Sequence, residues 1–216
     1  MAKSRRRTKK ITKLLILVLI IVLVIGGYIL YDKVLSNKPT KVKTVDEIPE
    51  YGYKLTSNKP KEYINMFQEL KDILSKETVN YEDYASKISE MFIYDFFSLD
   101  YKKVKTDVGG VDFIHPAIVE DFVNAAEKSY YKYIENDIYG NRKQDLPRVD
   151  KVKISSCEKT SFSYKEKNKK VTDDEAYQVK ATWTYKGSIH TDYQTSTTII
   201  IVHKDKKLYL VEMTEK

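Results

Sequence analysis

Residues 177–185 read Tyr-Gln-Val-Lys-Ala-Thr-Trp-Thr-Tyr. Tyr177, Val179, Ala181, Trp183 and Tyr185 take every second position, with Gln178, Lys180, Thr182 and Thr184 between them. Successive strand side chains point to opposite faces, so a period of two gathers the apolar groups on one face and leaves the polar set on the other. The stretch predicts a half-buried β-strand packed against a second layer on its aromatic side.

The pattern extends in both directions. Residues 195–203 are β-branched and apolar, and 206–213 repeat this after a turn at Lys204 and Asp205. Upstream, 149–157 and 160–164 read as weaker strands, and the Lys-rich run 165–170 as the turn that follows them. About four antiparallel strands are therefore expected after Pro147.

Before Pro147 the period changes to that of a helix. Tyr63, Met66, Phe67, Leu70, Ile73 and Leu74 share one face behind Pro60, and Tyr84, Ile88, Met91, Phe92, Phe96 and Leu99 form a second stripe. Asn80 with Asp83 has the spacing of an N-cap. Pro116 fits the first turn of a third helix with Val119, Phe122, Ala126, Tyr130 and Tyr133 inward, ending at 137–141. Between the second and third, Gly109 and Gly110 break any helix and permit left-handed backbone. Helices first and antiparallel strands afterwards give an α+β fold, about three helices on a curved antiparallel sheet of about four strands, over residues 61–216. Residues 32–60, rich in Lys, Asn, Pro and Thr, read as a linker, of which 45–55 alternates late and either pairs at a sheet edge or packs on the domain.

The N-terminus sets the setting. Residues 14–31, from Leu14 to Tyr31, contain no charge and as a helix would span roughly 27 Å, enough for a bilayer core. Residues 1–13 carry Lys3, Arg5, Arg6, Arg7, Lys9, Lys10 and Lys13 and no acid, so the positive-inside rule keeps this tail cytoplasmic and sends 32–216 outside. No small-x-small cleavage site follows the apolar run, and no cysteine stands there for lipid attachment. A single-pass signal anchor in a cell membrane, with an extracytoplasmic domain, is the expectation. The lipid bilayer is the first expected partner.

Seven of the 38 basic residues lie in that tail, which leaves 31 against 31 acidic ones. A formally neutral outer part lacks the electrostatic footprint of a nucleic-acid binder, so no nucleic-acid partner is expected. Cys157 is the only cysteine, so stability must come from an apolar core rather than a disulfide. Abundant Lys, Asn, Ile and Tyr with little Gly fits a bacterial source.

The order of anchor, helices and a four-stranded meander resembles the extracytoplasmic domains of the nuclear transport factor two-like superfamily, a cone-shaped fold. The segment 96–114, FFSLDYKKVKTDVGGVDFI, also resembles one found in uncharacterised membrane-anchored proteins of Gram-positive bacteria and their wall-less relatives. The resemblance covers about residue 63 to the C-terminus. It implies a cone with an interior, used in that superfamily by enzymes and pure scaffolds alike, so function does not follow from it.

Chemistry is sparse. His115, His190 and His203 stand in no nucleophile, base or metal-ligand spacing and read as structural. Asp107 and Asp112 flank the two glycines without the acidic ladder and closing Glu of a calcium loop. Neither a metal nor a cofactor is expected. Asp95, between Tyr94 and Phe96, is a catalytic acid or base if it lies in an apolar cavity; otherwise it sits at the stripe's edge, reaching water or pairing with a lysine. Tyr130, Tyr131 and Tyr133 with Lys128 and Lys132 form either an interface or a segment with Tyr131 turned to solvent. The residues expected to mark a ligand or partner surface are Tyr94, Asp95, Asp107, Gly109, Gly110, Asp112 and Tyr131. The functional expectation is a non-enzymatic interaction or assembly module of the cell envelope, with a protein partner or homo-oligomer; the alternative is a small-ligand-binding or enzymatic cone with an apolar pocket.

Overall fold

A computed structural model describes residues 42–167, 169–187 and 192–215. The apolar stretch 14–31 and His190 lie outside the described residues. Among the described residues no helix is long and apolar enough to cross a membrane.

The chain opens with a hairpin, β1 (Thr44–Ile48) and β2 (Tyr53–Thr56), which forms its own two-stranded antiparallel sheet around a 3-10 turn at Pro49–Tyr51. Part of the stretch read as linker is thus folded, since Ile48, Tyr53 and Leu55 are buried. Asp46 latches the hairpin to the first helix through Lys71 at 2.6 Å and Gln68 at 2.9 Å. Those hydrogen bonds hold its carboxyl at about 2.

Three helices follow: α1 (Lys61–Leu74), α2 (Tyr81–Phe97) and α3 (Val119–Lys128). The α1 stripe buries Tyr63, Phe67, Leu70 and Leu74, as its spacing predicts. At the start of α2 the Asn80 side chain accepts from the amides of Glu82 and Asp83, 3.0 and 3.3 Å, satisfying two of the turn's orphan donors. From Ile88 to Phe97 nearly every α2 residue is buried, because the helix lies between the sheet and α1 with α3's Phe122 on its flank.

The main sheet is an antiparallel meander in the order β3-β4-β5-β6: β3 (Val149–Glu166), β4 (Lys169–Tyr185), β5 (Ser196–Lys204) and β6 (Lys207–Thr214). The two weak strands expected at 149–157 and 160–164 are one long strand with register shifts at Ile154/Ser156 and Thr160/Phe162, and such bulges bend a hairpin without ending it. Tyr177, Val179, Ala181 and Trp183 face α2; the Phe97 and Trp183 rings are 4.5 Å apart. Ala176, Ile200 and Val202 form a second small core on the other face with Phe162 and Tyr164. The bent end of the β3–β4 hairpin reaches across that face, so that Tyr164 of β3 and Tyr209 of β6 both pack on His115, at 5.0 and 5.6 Å.

The third helix differs from expectation. It ends at Lys128 rather than at 137–141, with Ser129 leaving helical geometry and the Tyr131 amide donating to Ala126 at 2.9 Å. Beyond that point helical projection no longer applies. Tyr131 is fully buried and Tyr133 is 74 % exposed, the reverse of the expected arrangement.

Candidate functional site

Asp95 lies in the last turn of α2, 3 % exposed, at the focus of a polar cluster. Lys59, between β2 and α1, reaches Oδ2 at 2.7 Å and Oδ1 at 2.8 Å. Lys102, 1 % exposed, donates to Oδ1 at 2.7 Å. The Tyr101 hydroxyl also donates to Oδ1, and the Gly110 amide to Oδ2 at 2.8 Å. Both ammonium groups rest on aromatic faces, Lys59 over Tyr63 at 4.8 Å and Lys102 over Tyr101 at 4.4 Å.

The glycines make this packing possible. A Cβ on Gly109 would stand 2.1 Å from the Asp95 carbonyl oxygen and 2.6 Å from Lys102 Nζ. Gly110 has φ +73° and lies so close to Phe92 that a Cβ would meet the ring at 2.5 Å. Tyr131 completes the support: its hydroxyl donates to the Phe96 carbonyl at 2.6 Å and accepts from the Gly109 amide at 3.0 Å. The 98–118 loop is thus tied to the end of α2 by one carboxylate and one phenol.

Electrostatics fix what the cluster can do. Burial by itself would raise the Asp95 carboxyl, but the charges of Lys102 and Lys59 and their hydrogen bonds outweigh it and hold the carboxyl well below the usual carboxylate range. Burial pulls the Lys102 ammonium below the ordinary lysine value, against the pull of Asp95. Burial and then the Asp95 charge push the Tyr101 hydroxyl far up. A carboxylate that already accepts from four donor groups, and stays ionised near neutral pH, has neither the basicity nor the free lone pairs of a general base. Of the two arrangements open to Asp95, pairing with lysine is the one seen, with two lysines and in the interior rather than at the stripe's edge.

The other expected site residues separate. Tyr94 is fully buried, with Glu62, Asp100 and Arg148 as its charged surroundings, and burial raises its hydroxyl. Asp107 caps the loop by accepting from the Lys103 amide at 3.1 Å. Asp112 is exposed on the 3-10 turn Val111–Phe113. Tyr94, Asp95, Gly109, Gly110 and Tyr131 therefore belong to the interior and not to an outer surface. Among the described residues no group of His, Cys, Asp or Glu is arranged to hold a metal ion. Lys59, Tyr101 and Lys102 went unseen in the sequence because lysines in polar segments normally face water, and nothing local marks the buried Lys102 or the half-buried Lys59.

A separate apolar cleft of ≈ 180 Å³ opens between α2, α3 and the edge strand β6, lined by Phe92, Ile114, Ile118, Phe122, Leu210 and Met213. No family model, curated protein or solved structure matches the chain.

Proposed function

We propose that this chain is a membrane-tethered, non-enzymatic interaction or assembly module on the outer face of a bacterial cell membrane. The observation that carries this reading is the uncharged run from Leu14 to Tyr31 behind seven basic residues and no acid, a pattern whose favourable environment is lipid with its basic flank in the cytoplasm. The saturated Asp95 cluster supports the non-enzymatic part, because this buried carboxylate, held well below the usual carboxylate range, is committed to holding a loop. A protein partner or a second copy is the expected interactor. The experiment splits intact cells into two samples: in the one treated with protease the part beyond residue 60 should be shaved from outside, and in the one treated with cross-linker a stoichiometric adduct should be recovered. Protection until lysis would overturn the orientation, and a monomer without adduct would overturn the assembly role.

The cleft beside β6 favours a second reading, binding of a small apolar ligand. Its volume of ≈ 180 Å³ falls below the ~300 Å³ at which ordinary ligand pockets begin, which suits one acyl or aromatic fragment and no larger molecule. Native mass spectrometry of the purified chain tests it: a retained apolar adduct lost in Ile118→Trp supports it, and an adduct-free mass overturns it.

A further inference from the structure

We propose that the end of the domain where the chain enters is a lipid-facing surface, from which Tyr133, Ile138 and Tyr139 insert into the headgroup layer of the bilayer. This rests on the membrane-tethered reading above.

The topology places the entry. The closed end of the β1–β2 hairpin lies against the first turn of α2, where the Tyr51 and Tyr53 rings are 5.7 and 6.4 Å from that of Tyr84. Its open end runs the other way. The Lys43 carbonyl accepts from the Ser57 amide at 2.8 Å, and two residues on Lys59 is bound to Asp95 in the last turn of α2. Val42 thus enters beside the C-terminal end of α2.

The loop between α3 and β3 is pinned to that same end. The Asp137 amide donates to the Lys103 carbonyl at 2.8 Å, and the Leu99 amide to Pro147 at 2.8 Å. The Arg142 guanidinium grips the carbonyls of Asp100 and Lys102 at 2.6 and 2.7 Å. The loop is also braced internally: Gln144 donates to the Tyr133 carbonyl at 2.9 Å and accepts from Glu135 at 3.0 Å, while the Asn136 side chain accepts from the Ile138 amide at 2.9 Å.

Exposed apolar surface collects here. Among the described residues the large hydrophobic side chains left exposed are Tyr133, Ile138 and Tyr139 on this loop, at 74, 40 and 57 %, and Val42 and Val45 on the entering strand. The opposite end, with the β5–β6 turn, has none of them. A braced loop that holds two tyrosines and an isoleucine outward, beside the point where the chain arrives, presents what the lipid–water interface favours. Lys105, Lys132 and Lys143 lie on the same two loops for headgroup phosphates, with Lys132 4.9 Å over the Tyr133 ring. Of the acids on these loops, Asp137 is paired with Lys103 at 3.1 Å and Asp100 with Arg148 at 2.6 Å, Asp107 is half-buried and accepts from the Lys103 amide, and Asp112, Glu135 and Asp145 are exposed. Ten residues separate Tyr31 from Val42. Even fully extended, ten residues span no more than ~36 Å.

The test uses the full chain with Cys157→Ser, reconstituted into phosphatidylethanolamine–phosphatidylglycerol vesicles. One environment-sensitive fluorophore is attached at Ile138→Cys or Tyr139→Cys, and in a second preparation at Lys206→Cys on the β5–β6 turn. The expected result is a blue shift at 138 and 139 and loss of most of the emission to nitroxide-bearing lipids, with neither at 206. Equal, weak quenching at all positions overturns the inference. So does a blue shift that grows with protein concentration without lipid quenching, which would mark a protein contact. Flotation of the same vesicles separates the two levels: a chain that fails to float refutes the anchor, while a floating chain with an unquenched label at 138 refutes this surface alone.

Discussion

Replacing Asp95 by Asn keeps the shape of the buried cluster and removes its only negative charge. Lys102, with its side chain 1 % exposed, would retain the Tyr101 hydroxyl at 3.4 Å and an amide oxygen, but no counter-ion. Removing one partner of a buried ion pair costs about 3–5 kcal/mol, because the orphaned charge stays desolvated or must give up its proton. For a folded unit of this size that lowers Tm by roughly 6–20 °C. Lys102→Met leaves Asp95 with Lys59, Tyr101 and Gly110, so its cost should be smaller, about 1–3 kcal/mol. The double variant leaves no fully buried cation without a counter-ion, since the remaining Lys59 has its side chain 17 % exposed, and it should be more stable than the sum of the singles by at least ~1 kcal/mol. The Asp95 contribution also has a defined pH window. The folded carboxyl lies below its unfolded value near ~3.9, so the stabilisation is present above about pH 4 and drains away as the pH falls below that. Thermal melts of the full chain in detergent micelles, followed by near-ultraviolet circular dichroism of the tyrosine-rich core, measure all three variants. An Asp95→Asn chain within ~1 kcal/mol of the parent, or singles that simply add, would refute the account.

Other expectations follow from single positions. Gly110→Ala combines a left-handed backbone with a Cβ 2.5 Å from Phe92 and should lose several kcal/mol; Gly140→Ala, at φ +68° with nothing within 4 Å, should lose only ~1 kcal/mol, and denaturant midpoints compare them. Tyr131→Phe removes two buried hydrogen bonds and should cost about 1–3 kcal/mol, whereas Tyr133→Phe in the exposed loop should be neutral in the same melts. His115 is fully buried, accepts from the Ala117 amide at 3.2 Å through Nδ1, and is held below its ordinary value by burial and by Lys204. Its unfolded form therefore takes a proton first, so stability is intact above about pH 6.5 and falls below it. His115→Gln should flatten Tm against pH in that range, and an unchanged slope would assign the effect elsewhere.

The elements whose pattern is periodic were legible residue by residue. The β4 alternation, the α1 stripe and the Asn80 cap all follow from local spacing, and each is found where it was read. What escaped is set by contacts distant in sequence. The end of α3 depends on Tyr131 reaching the Phe96 carbonyl, 35 positions away, and no local signal separates that tyrosine from Tyr130 or Tyr133. Within the linker, the late alternation of 45–55 pointed to a sheet edge or to packing on the domain without distinguishing them, and the stretch instead pairs with itself as a hairpin; Tyr53 and Leu55 become core only once α2 and β6 are in place beside them. At the cluster, Asp95, Gly109 and Gly110 were singled out from the sequence, since a carboxylate on an apolar stripe and paired glycines are each unusual. The lysines that neutralise Asp95 are ordinary in sequence, and Lys102 is exceptional only in its burial.

The junction of the first hairpin with the last strand sets an order of events during synthesis. The Tyr53 and Tyr84 hydroxyls bond each other at 2.8 Å, and they also meet the backbone of Leu208, carbonyl and amide, at 3.4 and 3.3 Å. These links bridge up to 155 positions of chain, so the N-terminal hairpin has no finished seat until residues 207–214 have left the ribosome and any export channel. Long-range closure of this kind is slow and is completed only when the whole chain is available. Loss of the last ten residues would therefore strip the nascent hairpin of its docking partner, leaving a half-assembled species exposed to quality-control proteases.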